Sequence, residues 1–233
     1  MLHLWVIVKN STEAGMHKEK IMNYPKVDIG KLYPEMSLYL NETGFAFDVE
    51  NQPNVHEFAK KLDTTFIKVA EGGLNIQENF SSSQRAFIDG ESFEGKLVDY
   101  IPIDSMWKDS SGEYVYFLCY DDKIVKIGMT SDTLSGRYAS YNCGTRKAMK
   151  KGSCSTTNYV ITECNYSALL NNKNVSIYAI RLEKEFKTIE KFGVVKQIPV
   201  SICRGYEEII TDIFVSTYGV KPALCVQKGN SSI

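Results

Sequence analysis

The chain has 233 residues, 43% hydrophobic and 24% charged, with a formal net charge of −1, which suits one large or two small soluble domains with a sizeable core. No apolar run approaches a membrane span, and the opening run over residues 2–8 is too short for a secretory leader, so a cytoplasmic protein is expected. The six cysteines (Cys119, Cys143, Cys154, Cys164, Cys203, Cys225) form no C-x-x-C pair and the three histidines (His3, His17, His56) all lie in the first half, which argues against structural zinc and for buried free thiols.

In chain order, residues 2–8 form a strand-like run and residues 44–49 fit another strand. After Pro53, the spacing of Val55, Phe58, Ala59, Leu62 and Phe66 predicts a helix over 54–69. Residues 90–95 read as loop. The polar stretch Lys108-Asp109-Ser110-Ser111-Gly112 is rich in turn formers. A domain boundary is therefore placed near residue 105, with an accessory N-terminal α+β domain over 1–105 and a second domain over 106–233. Two strands follow, over 114–120 and 123–128, joined by an Asp-rich turn. Ser131 or Asp132 suits the cap of a helix through Arg137 to about Tyr141. Ser155, Thr156 or Thr157 suits the cap of a helix toward Leu170, although Tyr159-Val160-Ile161-Thr162 also fits a strand. A third strand is predicted over 175–180. A last helix runs from about Arg204 to Thr217 and stops at Gly219, with Pro222 beyond.

Charge is unevenly spread. Residues 1–110 carry 11 Lys/Arg against 17 Asp/Glu, whereas residues 111–233 carry 16 against 11. Between Lys123 and Lys151 there are seven basic residues (Lys123, Lys126, Arg137, Arg146, Lys147, Lys150, Lys151) and one acid, Asp132. Such a patch can neutralise phosphates, although a solvated charged face gives the same count.

The informative stretch is Tyr114-Val115-Tyr116, followed by Lys126-Ile127-Gly128 and then by Arg137 and Tyr141. This order resembles the GIY-YIG nuclease superfamily: two short motifs on adjacent strands, an arginine on the next helix and a glutamate on a later one. It is most similar to a branch of small homodimeric type II restriction endonucleases whose second motif also carries Lys in place of Tyr. The segments Ser140-Tyr141-Asn142-Cys143-Gly144 and Cys154-Ser155-Thr156-Thr157-Asn158-Tyr159 are similar to that branch too. The first motif lacks the family's Gly and Ile. The resemblance covers about residues 114–225 and does not extend to the first hundred. It implies an α+β fold with a small antiparallel three-stranded sheet flanked by helices. It also implies metal-dependent hydrolysis of double-stranded DNA, a first-motif tyrosine as general base, and Mg²⁺ (or Mn²⁺) on a glutamate of the last helix. A homodimer on a short palindromic or near-palindromic site and a companion DNA methyltransferase complete the expectation.

The residues can be weighed chemically. Phosphodiester hydrolysis needs a base for water, positive charge on the developing phosphorane and usually a metal at the leaving oxygen. A tyrosine titrating near its reference value of about 10 is a poor base at neutrality. A nearby ammonium favours its phenolate, and Lys126 can provide one to Tyr116. The two share a sheet face only if paired residue numbers sum to an even value. A three-residue loop over 121–123, pairing Tyr120 with Ile124, satisfies this, and a two-residue loop does not. Arg137 and Tyr141, at i and i+4, project from one helix face, where a guanidinium can clamp the scissile phosphate. Glu207, Ile210, Thr211 and Phe214 form one stripe, so Glu207 rather than Glu208 falls among core positions, a costly place for a carboxylate that a bound cation would relieve. Arg146, Lys147, Lys150 and Lys151 are expected on the DNA backbone. Asn142, Ser155, Thr156, Thr157 and Asn158 are expected at phosphate or base edges, although helix capping explains the Ser and Thr equally. A structure-specific or homing-type nuclease is the alternative reading, and a non-cutting DNA-binding protein is the alternative from another class.

Overall fold

The computed structural model describes residues 5–7, 21–23, 49, 51–74, 96–145, 148, 151–170 and 172–225. In chain order the elements are β1 (Trp5–Ile7), β2 (Ile21–Asn23), α1 (Val55–Lys61), β3 (Ile67–Leu74), β4 (Val98–Pro102), a 3-10 turn (Ser105–Trp107), β5 (Gly112–Tyr120), β6 (Lys123–Thr130), α2 (Leu134–Asn142), α3 (Thr156–Leu170), β7 (Val175–Glu183), β8 (Glu185–Lys191), β9 (Val194–Val200) and α4 (Cys203–Tyr218). The chain divides into two compact units that interleave along the sequence. Val49–Gly72, Tyr100–Ser140 and Asn174–Ile233 form one; Met1–Asp48, Gly73–Asp99 and Tyr141–Lys173 form the other.

The fold is α+β, with a largely antiparallel sheet flanked by helices. Strand order is β4-β3-β7-β5-β6. The expected trio β7-β5-β6 is present and antiparallel, and it is widened by β3 and β4, which precede the boundary expected near residue 105. The helix predicted over 54–69 ends at Lys61. Asn54 caps it, its Oδ1 accepting from the His56 and Glu57 amides at 2.9 and 3.3 Å. Asp63 then takes a left-handed φ of 48°, and the β-branched Thr64-Thr65 lead into β3 instead. The strand expected over 2–8 survives as β1, paired with β2. The strand expected over 44–49 (apart from Val49) and the loop over 90–95 lie outside the described residues.

The turn between β5 and β6 has two residues, not three. Asp121 and Asp122 both have positive φ, 48° and 61°, as a type I′ hairpin turn requires. Tyr120 therefore pairs with Lys123 and Cys119 with Ile124, a register of the wrong parity. A bulge at Val125 corrects it: Leu118 pairs with Lys126 and Tyr116 with Gly128. Tyr116 and Lys126 thus share a face, by a route that turn length alone does not predict. The bulge is tied down, since the Val125 carbonyl accepts from the Leu224 amide at 2.7 Å.

Every residue of β5 is buried. On one face Val115, Phe117 and Cys119 join Val55, Phe58, Phe66, Ile124, Ile127, Ile210 and Phe214 in the core. Phe66 stacks on Phe117 with centroids 4.0 Å apart, and Phe58 meets Phe214 edge-on at 5.1 Å. On the other face Tyr116 meets Tyr138 of α2 at 5.4 Å, and Tyr138 also meets Tyr100 and Trp107. Thr133, rather than Ser131 or Asp132, caps α2: its Oγ1 accepts from the Gly136 amide at 3.1 Å.

In the other unit Ser155 caps α3, accepting from the Asn158 amide at 3.1 Å, and residues 159–162 are helical. Two sequence motifs meet here. A Cβ on Gly144 would lie 2.3 Å from the Asn158 carbonyl carbon, and Thr162 Oγ1 donates to the Tyr141 carbonyl at 2.6 Å. Of the cysteines, Cys119, Cys164 and Cys203 are buried, whereas Cys143 is exposed.

The last helix ends at Gly219, whose φ of 72° is left-handed, as expected. Its N-terminus is capped from a distance. Residue Ile202 has no capping side chain, but Glu113 at the start of β5 reaches over, its Oε2 accepting from the Ile202 and Cys203 amides at 2.8 and 2.9 Å. Burial of Glu113 opposes its charge, but the Cys203 and Ile202 amides outweigh it and hold the carboxyl below its ordinary value. A carboxyl depressed in the folded state stabilises it above the unfolded pKa, and that contribution is lost as pH falls through the folded value. Glu113→Gln is therefore expected to cost about 1–2 kcal/mol at neutral pH. It should also remove a component of acid destabilisation below the usual carboxylate range, measured by urea denaturation between neutral and acidic pH.

Candidate active site

Four of the five expected catalytic side chains lie in the same unit. Tyr116 is contributed by β5, Lys126 by β6, Arg137 by α2 and Glu207 by α4. The Tyr116 ring crosses the neighbouring strand at Gly128. A Cβ there would lie 2.4 Å from the Tyr116 hydroxyl and 2.5 Å from Cζ, so the second motif ends in glycine because the first motif's tyrosine occupies that space. The hydroxyl accepts a hydrogen bond from Arg137 Nε at 3.2 Å. The arginine expected on a phosphate thus also reaches the tyrosine. Lys126 is buried and lies one diagonal step from Tyr116 on the same face, since Leu118 is its cross-strand partner.

The burial pattern of α4 separates its two glutamates. Cys203, Ile210 and Phe214 are buried and Glu207 is half-buried, while Glu208 is exposed and engages Arg204 at 3.3 Å. Burial pushes the Glu207 carboxyl up from its ordinary value, and the charges of Lys126 and Arg137 pull it back. The carboxylate therefore lies within electrostatic reach of both cations. Among the described residues no group of three His, Cys, Asp or Glu side chains could hold a metal. A single half-buried carboxylate does fit Mg²⁺, which commonly binds one or two carboxylates and takes its other ligands from water and phosphate oxygens.

The remaining expected site residues are placed differently. Tyr141 is fully buried and belongs to the other unit. Asn142 is buried too, its Nδ2 donating to the Val98 carbonyl at 2.8 Å, so its amide serves the fold rather than a DNA-facing surface. Ser155 is occupied as the cap of α3. Thr157 and Asn158 are half-buried, and Lys151 is exposed. Arg146, Lys147, Lys150 and the Thr156 side chain lie outside what is described. Glu113 was not singled out from sequence, although an acid opening an otherwise apolar and aromatic strand was a usable signal.

No family model matches the chain, and no curated protein sequence matches it significantly. Solved structures similar to it include two nucleases. The restriction endonuclease HPY188I, solved in complex with product DNA, is 28% identical with a TM-score of 0.46, covering 78% of this chain and 90% of that one. A mutant of bacteriophage T4 EndoII is 18% identical with a TM-score of 0.39, covering 72% and 95%.

The contact between Tyr116 and Gly128 can be measured directly. Gly128→Ala should destabilise the chain by about 1–3 kcal/mol through overpacking. In a Tyr116→Ala background the same change should cost little, because the ring is gone, and the difference is the coupling read by a denaturation cycle.

Proposed function

We propose that the chain is a metal-dependent endonuclease of double-stranded DNA, a type II restriction enzyme working as a homodimer on a short palindromic or near-palindromic site. The observation that carries this reading is the Tyr116 hydroxyl with the Arg137 guanidinium at 3.2 Å, in the unit where Glu207 feels Lys126 and Arg137. A phenol that accepts from a guanidinium and lies near an ammonium has its phenolate favoured, which is what a tyrosine base for water requires. Tyr116 then takes the proton as the water oxygen bonds to phosphorus and the bond to the leaving oxygen breaks in line. Lys126 and Arg137 offset the negative charge that grows on the phosphorane. Glu207 would hold the divalent ion, Mg²⁺ or Mn²⁺, which when bound supplies positive charge against the phosphate and leaving oxygens.

The motif order around these residues, with the strand pair, α2 and α4 following one another as the GIY-YIG resemblance implies, supports restriction-type chemistry over a non-cutting binding protein. One site cuts one strand, so two copies are needed for a double-strand break. The parts of residues 1–105 outside α1, β3 and β4 are proposed to add dimer or specificity contacts, and a companion DNA methyltransferase would protect the host site. Digestion of a sequenced plasmid with Mg²⁺, with fragment ends mapped, tests the reading. Uniform fragments of a linear duplex are expected. Cutting confined to branched DNA would instead assign a structure-specific nuclease, and binding without cutting would leave a DNA-binding protein.

Glu207→Gln should lower the cleavage rate by on the order of 10³-fold or more while duplex binding persists, and Glu208→Gln should cut normally; the reverse pattern would identify the wrong carboxylate. Tyr116→Phe and Lys126→Met should each cost about 10²–10⁴-fold in single-turnover cleavage. Their combination should be little worse than either alone. Lys126→Met should also move the activity profile to higher pH, because the phenolate loses a stabilising charge. Near-normal cutting by Tyr116→Phe would transfer water activation to another group.

A further inference from the structure

Between β7 and α4 the chain leaves the sheet as a two-stranded ribbon, β8 and β9, closed by a tight turn at Phe192 and Gly193 with φ of 56° and 73°. Seven residues per strand give a ribbon of roughly 23 Å at about 3.3 Å per residue. Apart from the half-buried Ile189 and Ile198, its strand residues are exposed. A lone two-stranded ribbon gains little stability from itself, so its exposure on both faces has another reason.

The register sorts its charges. Lys187 pairs with Ile198, Ile189 with Lys196 and Lys191 with Val194, so Lys187, Lys196 and Lys191 share one face. They zigzag across the two strands, one diagonal step of about 7–8 Å apart each time. Glu185 at the root is the one acid on that face, while Glu190 points to the opposite one, where no lysine or arginine lies. None of the three lysine side chains makes a hydrogen bond or ion pair among the described residues. Three like charges in a row repel one another, and a polyanion with closely spaced charges relieves that repulsion. Duplex DNA carries one phosphate per about 1.7 Å of axis, and its major groove admits a two-stranded ribbon.

The ribbon is also anchored to the active site. At one root Lys184 Nζ donates to the Ser110 carbonyl at 2.6 Å. At the other, Ser201 and Ile202 meet Glu113, the carboxylate that caps the helix carrying Glu207. We infer that the β8–β9 ribbon is a duplex-DNA contact in its own right, gripping phosphates through Lys187, Lys191 and Lys196. This rests on the nuclease reading above and adds to it a binding element well separated in sequence from the basic cluster at 146–151.

The test uses the full chain with Lys187→Ala/Lys191→Ala/Lys196→Ala, and a second variant with arginine at the same three positions. Binding of a labelled 24-base-pair duplex is followed by fluorescence anisotropy in EDTA across a range of salt. The alanine variant is expected to lose affinity roughly ten-fold or more at low salt and to flatten the salt dependence by up to about 2.7 in slope, at about 0.9 per phosphate. The arginine variant should keep both. Duplex binding by the unsubstituted chain with the same slope in the alanine variant overturns the ribbon assignment and leaves the nuclease reading standing. No duplex binding by the unsubstituted chain overturns both. Loss of self-association in sedimentation, with the salt slope unchanged, gives the ribbon to a second copy of the chain and overturns the DNA assignment.

Discussion

The helix that bears Glu207 has no cap of its own, and a carboxylate from β5 serves as one. Glu113 binds the two leading amides of α4, where the helix dipole favours negative charge. Three residues further along the same strand is Tyr116. One buried strand therefore positions both the phenol proposed as base and the start of the helix that presents the carboxylate. Aromatic packing of Phe58 against Phe214 supports the far end of that helix, so α4 is held at its first turn by hydrogen bonds and farther along by burial.

The second constraint is steric. Tyr116 can lie across β6 because Gly128 offers no side chain there, and Arg137 meets that arrangement at the hydroxyl. The bulge at Val125 makes this possible. Without it, a two-residue turn would send Lys126 to the face occupied by Val115 and Phe117, leaving an ammonium in the apolar core at a cost of several kcal/mol. Burial of the ammonium on the wrong face thus selects the bulge as firmly as the turn residues select the turn.

Much of this could be read before the fold was known. The strand runs of β5 and β6, the apolar stripe of α4 with its stop at Gly219, and the placement of Glu207 inward and Glu208 outward all follow from local pattern, which is where sequence speaks most directly. What escaped was non-local. The bulge depends on which face tolerates Lys126, and the cap at Glu113 joins residues 89 positions apart in the chain. Helical spacing overextends the helix over 54–69 because Leu62 and Phe66 satisfy it while serving the core from the turn after α1 and the linker before β3. Asn142 reads as a DNA contact from its motif, yet it is buried and its Nδ2 donates to the Val98 carbonyl. The ribbon leaves little local signal because a strand pair exposed on both faces mixes polar and apolar residues without the one-sided alternation that marks a sheet.

That ribbon has a consequence for how such a protein can diversify. Its two roots are fixed by Ser110 and by Glu113, and nothing between them belongs to the sheet or to the Tyr116 cluster. Length and composition from Glu185 to Val200 can therefore drift as an interchangeable cassette. The chemistry stays constant while the outer surface is rewritten, much as loops on a rigid scaffold do elsewhere. Under the proposed function, selection for a new DNA target need not pass through a weakened catalyst.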